Sequence, residues 1–372
     1  MRNSIYCISV LSILLLAACS SKNPSESRIV DTVALPISDT VVADTAPREV
    51  FTIVGTGDIL LGMNYPDDAP RLPAADGIHL FDSVRHILSG ADVAFGNLEG
   101  VLLDSGGIPK TCTDPKLCYR FRMPERYVQL LVDAGYDVMS VANNHVCDFG
   151  HEARMHTLDV LREAGLEFAG SLNQRFTVFE RGGIRFGFCA FAAMRDCVSV
   201  FELQAAKKLI EEVRPQCDVL IVSMHAGKEG SAYMHVPFAS EYDLDGVLGD
   251  VHYFAHLCID AGADVFFGHG PHVPRAVELY RDRFIAYSLG NFCTPFGMAI
   301  SGVSGLAPMI QVSVDRSGKF VSGQIFSGIQ RWGTGPRLDT QMRVVREIQQ
   351  LSEEDFPESP LRIASGGAIT RK

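Results

Sequence analysis

The sequence has little positive charge. Its 372 residues include 33 Lys and Arg against 44 Asp and Glu, which gives a formal net charge of −11 at pH 7. Proteins that bind nucleic acid carry patches of Lys and Arg that neutralise phosphates. The charge balance therefore argues against nucleic acid as a partner.

The sequence also lacks the motifs of two large groups of enzymes. Gly55-Thr56-Gly57 has neither the Lys-Ser/Thr ending of a P-loop nor the third glycine of a dinucleotide-binding fingerprint. Ser288 does not lie in a Gly-x-Ser-x-Gly sequence between a strand and a helix, as the nucleophile of an α/β-hydrolase does. Neither segment therefore indicates nucleotide binding or serine-hydrolase chemistry.

Long apolar runs are missing as well, since no segment after the first 20 residues reaches the roughly 20 apolar residues of a membrane-spanning helix. A shorter run, Ile5–Leu16, follows Arg2 and precedes the small residues Ala17 and Ala18. A positive start, a short apolar run and small residues at its end are the parts of a secretory signal.

Cys19 directly follows this run. Leu16-Ala17-Ala18-Cys19 resembles a bacterial lipobox, in which the Cys is lipidated as the signal is removed. We therefore predict a lipoprotein signal peptide over residues 1–18 and lipidation of Cys19. An ordinary signal peptide with an incidental Cys is the alternative. Residues 19–48 are rich in Ser, Pro, Asp and Thr, which predicts a flexible tether.

The predicted lipid would anchor the protein to a membrane outside the cytoplasm. Stable attachment takes more than one acyl chain, and lipobox proteins usually carry several on this Cys. Ser20 is not an Asp-type retention cue. We therefore expect an extracytoplasmic position on the cell envelope, at the outer membrane in a host with two membranes.

Cys112 and Cys118 bracket a turn-rich stretch, Thr113–Lys116. In an oxidising compartment this spacing favours a disulfide that closes the loop. Two free thiols are the alternative.

From Glu49 onward, short apolar strands alternate with helices, which predicts an α/β fold in layers. We predict one domain over residues 49–351. Residues 352–372 contain Pro, Glu, Ser and Gly and are predicted to form a weakly ordered tail.

Polar side chains follow five of the predicted strands, at the point where each strand ends. They are Asp58, Asn97 with Glu99, Asn143-Asn144-His145, His225, and His269 with His272. Because ligands bind beyond the carboxyl ends of strands in open α/β sheets, we expect these side chains to meet. Carboxylate, amide and imidazole groups together are typical ligands of Zn²⁺, Mn²⁺ or iron. A hydrogen-bonded polar cluster without metal is the alternative.

Six stretches of the sequence resemble the CapA family of capsule or poly-γ-glutamate biosynthesis, whose domain is similar to calcineurin-like metallophosphatases. In family order they are Gly57–Gly62, Gly96–Gly100, Ala142–Gly150, His225–Glu229, Gly268–Val273 and Tyr287–Phe292. The resemblance implies a layered α/β/β/α sandwich of metallophosphatase type.

The resemblance also implies site roles. His145 would donate a proton to the leaving group, with Asn143 beside it as a second catalytic residue. The metal ligands would be Asp58, Asn97, Glu99, Asn144, His225, His269 and His272.

The sequence departs from the metallophosphatase pattern at three ligand positions. Leu60 stands where a His follows the first Asp, and Asn97 replaces an Asp that bridges two metals. His269 and His272 are spaced His-x-x-His rather than His-x-His. We therefore expect one Zn, Mn or Fe ion, or an unusual pair that uses Glu99.

Three functions are consistent with these features. The first is a metal-dependent hydrolase of a phosphoester or amide linked to a surface polymer. The second is a non-catalytic component that binds and helps export an anionic polymer, together with other capsule-assembly proteins. The third is hydrolysis of an unrelated phosphate ester. The second function would need a local basic patch such as Lys110, Lys116, Arg120, Arg122 and Arg126.

Overall fold

The computed structural model describes residues 49–112, 114, 118–243 and 246–372. The predicted signal peptide 1–18, the lipidation site Cys19 and the tether 19–48 lie outside these residues. None of the helices that the structure describes has the length and apolar character needed to cross a membrane.

The described residues form short strands and helices that alternate along the chain. The strands are β1 (Val50–Ile59), β2 (Val93–Leu98), β3 (Val101–Leu102), β4 (Arg122–Met123), β5 (Val138–Ser140), β6 (Glu167–Ala169), β7 (Phe176–Arg181), β8 (Ile184–Ala192), β9 (Val219–His225), β10 (Glu241–Tyr242), β11 (Val247–Gly249), β12 (Val265–His269), β13 (Val277–Tyr280), β14 (Arg283–Ala286), β15 (Asn291–Cys293), β16 (Met309–Asp315), β17 (Phe320–Phe326), β18 (Gly328–Ile329), β19 (Arg337–Leu338), β20 (Leu361–Ile363) and β21 (Ala368–Arg371). The α-helices are α1 (Arg85–Leu88), α2 (Val128–Ala134), α3 (Gly150–Glu163), α4 (Leu203–Val213), α5 (Val251–Asp260) and α6 (Arg343–Asp355).

Two large mixed sheets organise the described part of the chain. The larger has nine strands in the order β20-β21-β17-β16-β1-β2-β5-β6, with β15 paired to β1. The smaller has six strands in the order β13-β14-β12-β9-β8-β7. The central strands β1, β2 and β5 run parallel, as do β8, β9 and β12, so their carboxyl ends lie at one edge of each sheet.

The two sheets pack face to face and carry helices on their outer faces. Phe95 of β2 stacks on Phe267 of β12 with ring centroids 5.5 Å apart, inside a core that both sheets share. Residues of α2 and α3 pack in a second core with β1, β2 and β5, and residues of α4 and α5 pack in a third with β9 and β12. The predicted α/β/β/α sandwich is confirmed.

The prediction of a weakly ordered tail over residues 352–372 is wrong. Residues 361–363 and 368–371 form β20 and β21, and β21 pairs with β17 of the larger sheet. Leu361, Ile363 and Ile369 are buried in the core that the sheets share. These strands are too short for their alternation to stand out among Pro, Ser and Gly in the sequence. They form because β21 pairs with β17 and β20 pairs with β21.

A buried ion pair holds the segment after β9 against β13. Arg275 is fully buried, and its guanidinium donates to both Glu241 oxygens, at 2.7 and 2.9 Å, and to the carbonyls of Tyr233 and Lys228. Removing one partner of such a pair leaves an uncompensated buried charge.

We expect Glu241→Ala to lower the free energy of unfolding by about 3–5 kcal/mol, because Arg275 would keep its charge without a counter-charge. Urea unfolding followed by circular dichroism measures this change. Glu180→Ala, at an exposed carboxylate, is the control and is expected to change stability by less than about 0.5 kcal/mol. Equal stability of the two variants would contradict the prediction.

Candidate metal centre

Asp58 lies at the carboxyl end of β1 and is completely buried. The strand passes so close to the backbone before β15 that a Cβ on Gly57 would lie 2.0 Å from the Gly290 carbonyl oxygen. Glycine at position 57 therefore permits this approach. The Asp58 amide donates to that same carbonyl at 2.9 Å, which fixes the direction of the Asp58 side chain.

Three side chains surround the Asp58 carboxylate. Asn97 Nδ2 donates to Oδ1 at 2.8 Å, His269 Nδ1 lies 3.1 Å from Oδ1, and His272 Nδ1 lies 2.9 Å from Oδ2. Burial alone would raise the pKa of Asp58, but the hydrogen bonds with His269 and His272 outweigh it and hold the pKa well below its usual value. The group is therefore a carboxylate, the form that binds a cation.

Glu99, just after β2, is a second buried carboxylate facing imidazoles. Its oxygens lie 3.6 Å from His272 Nε2, 3.7 Å from His225 Nε2 and 3.8 Å from His145 Nε2. These separations are too long for hydrogen bonds. Two ligands that each lie about 2.1 Å from one ion are up to about 4.2 Å apart, so the spacing suits a shared cation.

Several polar atoms of this cluster are buried without a partner. Within the described residues, Glu99 Oε1, His225 Nε2 and His269 Nε2 accept or donate no hydrogen bond. Leaving such atoms unpaired costs on the order of 1–3 kcal/mol each. Ligand atoms of Asp58, Glu99 and His225 all lie within 4.8 Å of one another. The donor set therefore fits a divalent metal.

The charge states of the cluster follow from burial and proximity. Burial and the nearby Asp58 charge raise the pKa of Glu99 to about 8. Burial lowers the pKa of His225 to about 4, so its imidazole is neutral, as a metal ligand must be. Burial opposes the charged form of His272, but the Glu99 charge and the hydrogen bond to Asp58 raise its pKa to about 10, so a metal ion that bound this imidazole would displace its proton.

His272 has a left-handed backbone, with φ of 55°. This conformation is uncommon outside glycine and costs on the order of 1 kcal/mol. It brings Nδ1 within 3.1 Å of Asn291 Oδ1 as well as to Asp58, and Nε2 within 3.8 Å of Glu229. The surrounding contacts thus hold the strained residue toward the two carboxylates of the centre.

His145 is held beside the cluster by contacts on two sides. Its Nδ1 lies 2.7 Å from Asp148 Oδ2, and the Phe121 ring stacks on the imidazole with centroids 3.9 Å apart. Asp148 is buried, and it also accepts from the Phe121 amide at 2.7 Å and pairs with Lys110 Nζ at 2.6 Å. These contacts leave His145 Nε2 directed to the Glu99 side of the cluster.

The asparagines of the centre differ in their contacts. Asn143 Nδ2 donates to Asn97 Oδ1 at 3.1 Å and to the Leu98 carbonyl at 2.8 Å, and its Oδ1 accepts from the His145 amide at 3.0 Å. Asn143 therefore positions its neighbours. Asn144 Oδ1 is buried and has no hydrogen-bond partner among the described residues, so it stays a candidate metal ligand.

The structure thus brings together Asp58, Asn97, Glu99, Asn143, His145, His225, His269 and His272. Sequence reasoning did not single out three further residues that complete the centre. Asp148 and Asn291 lie inside the motif stretches quoted above, and the His145-x-x-Asp148 spacing was the available signal. Phe121 gave no signal, because its role depends on the path of a loop.

That loop is closed by a disulfide between Cys112 and Cys118, whose Cα atoms lie 5.5 Å apart. Lys110 and Phe121, which both contact Asp148, lie on either side of the disulfide. The Arg120 side chain donates to the Lys110 carbonyl at 2.7 Å, which ties the two sides together. The disulfide therefore closes the segment that packs on His145.

We expect peptide mapping of protein alkylated in denaturant without reductant to find Cys112 and Cys118 joined and unmodified. Such a short loop would contribute on the order of 2–3 kcal/mol. The other cysteines of the described residues serve as the internal control and are expected to be alkylated: Cys147, Cys189, Cys197, Cys217, Cys258 and Cys293. Alkylation of Cys112 and Cys118 in the same sample would contradict the prediction.

Two packed mixed sheets with a carboxylate, amide and imidazole centre at the ends of β1, β2, β9 and β12 define a metallophosphatase-type fold. Residues 52–295, which hold the whole centre, match the family of the bacterial capsule synthesis protein PGA_cap. The chain belongs to this family.

Two curated relatives are named for capsule or PGA biosynthesis. The capsule biosynthesis protein CapA of Bacillus anthracis is 26% identical over 266 residues, which is 66% of this chain and 60% of the relative. The PGA biosynthesis protein CapA of Bacillus subtilis is 26% identical over 271 residues, 68% of this chain and 66% of the relative. The matched region thus spans a little under two thirds of each relative's length.

Two solved structures from Thermus thermophilus are similar at low identity. A hypothetical protein has a TM-score of 0.45 and 18% identity, covering 75% of this chain and 100% of that chain. A 5'-nucleotidase precursor has a TM-score of 0.41 and 12% identity, covering 78% of this chain and 54% of that chain. The family assignment rests on the sequence match.

Proposed function

We propose that the protein is a metal-dependent hydrolase that cleaves a phosphoester or amide bond linked to a surface polymer, in capsule or poly-γ-glutamate production. One observation carries the proposal: potential metal ligands lie next to a potential proton donor. Buried, unpaired ligand atoms of Glu99 and His225 lie next to His145, an imidazole held by the Asp148 carboxylate.

The residues predicted from the sequence as metal ligands would hold the ion: Asp58, Asn97, Glu99, Asn144, His225, His269 and His272. A divalent ion bound there supplies Lewis-acid chemistry and lowers the pKa of a water molecule toward about 7. His145 has its Nδ1 on Asp148 and its Nε2 on the cluster side. Asp148 orients the ring through Nδ1, so Nε2 is placed to give a proton to the departing oxygen or nitrogen.

Ion pairs at the proposed basic patch favour the hydrolase over the polymer-binding alternative. Lys110 pairs with Asp148, the buried Arg122 pairs with Asp67, and Arg126 forms a two-point ion pair with Asp76. Lys116 lies outside the described residues. Three of the five basic side chains proposed as a patch are thus paired with carboxylates of the same chain, while Arg120 donates to the Lys110 carbonyl.

A substrate panel of phosphomonoesters, phosphodiesters and γ-glutamyl amides tests the proposal, with protein stripped by chelator and reloaded with Zn²⁺, Mn²⁺ or Fe²⁺. We expect the protein to hydrolyse one of these bond classes. This activity should require metal and should be lost in Asp58→Asn. Absence of turnover across all metals and substrates, in protein that binds metal, would overturn hydrolysis and favour a binding role.

We also propose that a lipid on Cys19 holds the protein on the outer side of a membrane. The proposal rests on the lipobox-like sequence Leu16-Ala17-Ala18-Cys19. Cys19→Ala is expected to leave an unprocessed precursor or to shift the protein from membranes to the soluble fraction. Maturation and membrane association equal to wild type would overturn it, and Cys7→Ala, inside the predicted signal, is the matched control.

A further inference from the structure

A second group of potential metal ligands lies on α5 and β13, outside the candidate metal centre. His252 and His256 are four residues apart on α5, so they share one face of the helix. Glu278 of β13 completes the group and is 8% exposed. One ligand atom from each of these residues lies within 4.8 Å of the other two.

The contacts within this group bring two ligands close together. His256 Nε2 lies 2.9 Å from Glu278 Oε2, and the His252 and His256 rings have centroids 4.2 Å apart. Tyr287 donates its hydroxyl to the same Glu278 oxygen at 2.7 Å, which orients the carboxylate. Two ligands of a tetrahedral Zn²⁺ ion lie about 3.3 Å apart, so shifts of up to about 1.5 Å between ligand atoms would close the site.

Aromatic rings restrict the two imidazoles. The Tyr280 ring stacks on His256 with centroids 3.7 Å apart, and the Phe238 ring lies 4.4 Å from His252. Asp250 caps α5 by accepting from the Tyr253 amide at 2.8 Å, which fixes the start of the helix. The ligands are thus held by packing before any ion binds, which lowers the entropic cost of binding.

The imidazoles can also be reached from solvent. His252 and His256 are both half-buried. An ion could therefore reach this face without opening the core.

We propose that His252, His256 and Glu278 form a second metal site that binds Zn²⁺. Two imidazoles and one carboxylate are a donor set that Zn²⁺ takes in proteins, with the fourth position left to water. The bound ion would join α5 directly to β13. The site would therefore stabilise the packing of α5 on the smaller sheet. This proposal does not depend on the hydrolase proposal.

Equilibrium dialysis of the full chain against Zn²⁺, after stripping with chelator, tests the proposal without an activity assay. Glu278→Gln and His256→Gln are each expected to lose one equivalent of bound Zn²⁺ or to bind it at least about tenfold more weakly. His151→Gln, at an exposed imidazole of α3, is the matched control and is expected to bind as wild type does.

Asp58→Asn separates this site from the candidate metal centre. We expect this variant to keep the equivalent that Glu278→Gln loses, whether or not the protein is a hydrolase. His252→Asn serves as a further variant, and melting curves without metal establish that each variant is folded. Folded Glu278→Gln, His256→Gln and His252→Asn proteins that all bind Zn²⁺ as wild type does would overturn the proposal.

Discussion

Asp58→Asn is expected to remove the metal ion of the candidate centre and, with it, any hydrolysis. The substitution keeps the shape of the side chain but removes the negative charge that faces His269 and His272. An amide cannot replace a buried carboxylate ligand, so we expect metal affinity to fall by more than about 100-fold. Elemental analysis of protein purified without chelator should show one equivalent less than wild type.

Asp82→Asn is the control for this prediction, because Asp82 is an exposed carboxylate that pairs with His79 at the surface. It is expected to keep the wild-type metal content. Melting curves give a second readout, since a bound ion at 100 times its Kd stabilises the folded state by about 2.7 kcal/mol. If Asp58→Asn kept its metal and melted with wild-type metal dependence, the ion would have to lie elsewhere.

His145→Gln is expected to slow hydrolysis without changing metal content. Proton donation by a positioned side chain contributes about 10²–10⁴-fold, and the benefit depends on how basic the leaving group is. We therefore expect a loss of this size in kcat for an alkyl phosphate. The loss should be much smaller for p-nitrophenyl phosphate, whose leaving group needs no proton. Asp148→Asn should also lower kcat for both substrates, by a smaller factor than His145→Gln does.

His86→Gln is the matched control, because His86 is an exposed imidazole on α1. A loss of equal size for both leaving groups in His145→Gln would contradict the proton-donor role. A parallel loss of metal would instead make His145 a ligand. If added imidazole restored hydrolysis of the alkyl phosphate by His145→Gln, this result would distinguish proton donation from a purely structural effect.

The ligand cluster could be predicted from the sequence because its residues lie at or just beyond the ends of strands. Asp58, Asn97, His225 and His269 belong to β1, β2, β9 and β12, and parallel pairing aligns Asp58 with Asn97 and His225 with His269. An apolar run that ends in a polar residue marks such a position in any parallel sheet. Strand order within the two sheets was not needed to infer that these groups meet.

The surroundings of His145 could not be predicted in this way. Phe121 and Lys110 reach Asp148 from a loop whose path is set by tertiary contacts and by the Cys112–Cys118 disulfide. No periodicity in the sequence encodes that path. The special conformation of His272 was likewise hidden, since a positive φ at a residue other than glycine arises from the contacts around it.

The pairing of β21 with β17 also determines where the chain can be truncated without exposing a strand edge. Without residues 352–372, β17 would become the edge of the larger sheet, with its unpaired amides and carbonyls facing solvent beside the uncovered side chain of Ile325. An exposed apolar edge strand recruits strands from other molecules. A recombinant fragment that stops at residue 351 would therefore aggregate during expression, while one that runs through Arg371 keeps the edge covered by β20 and β21.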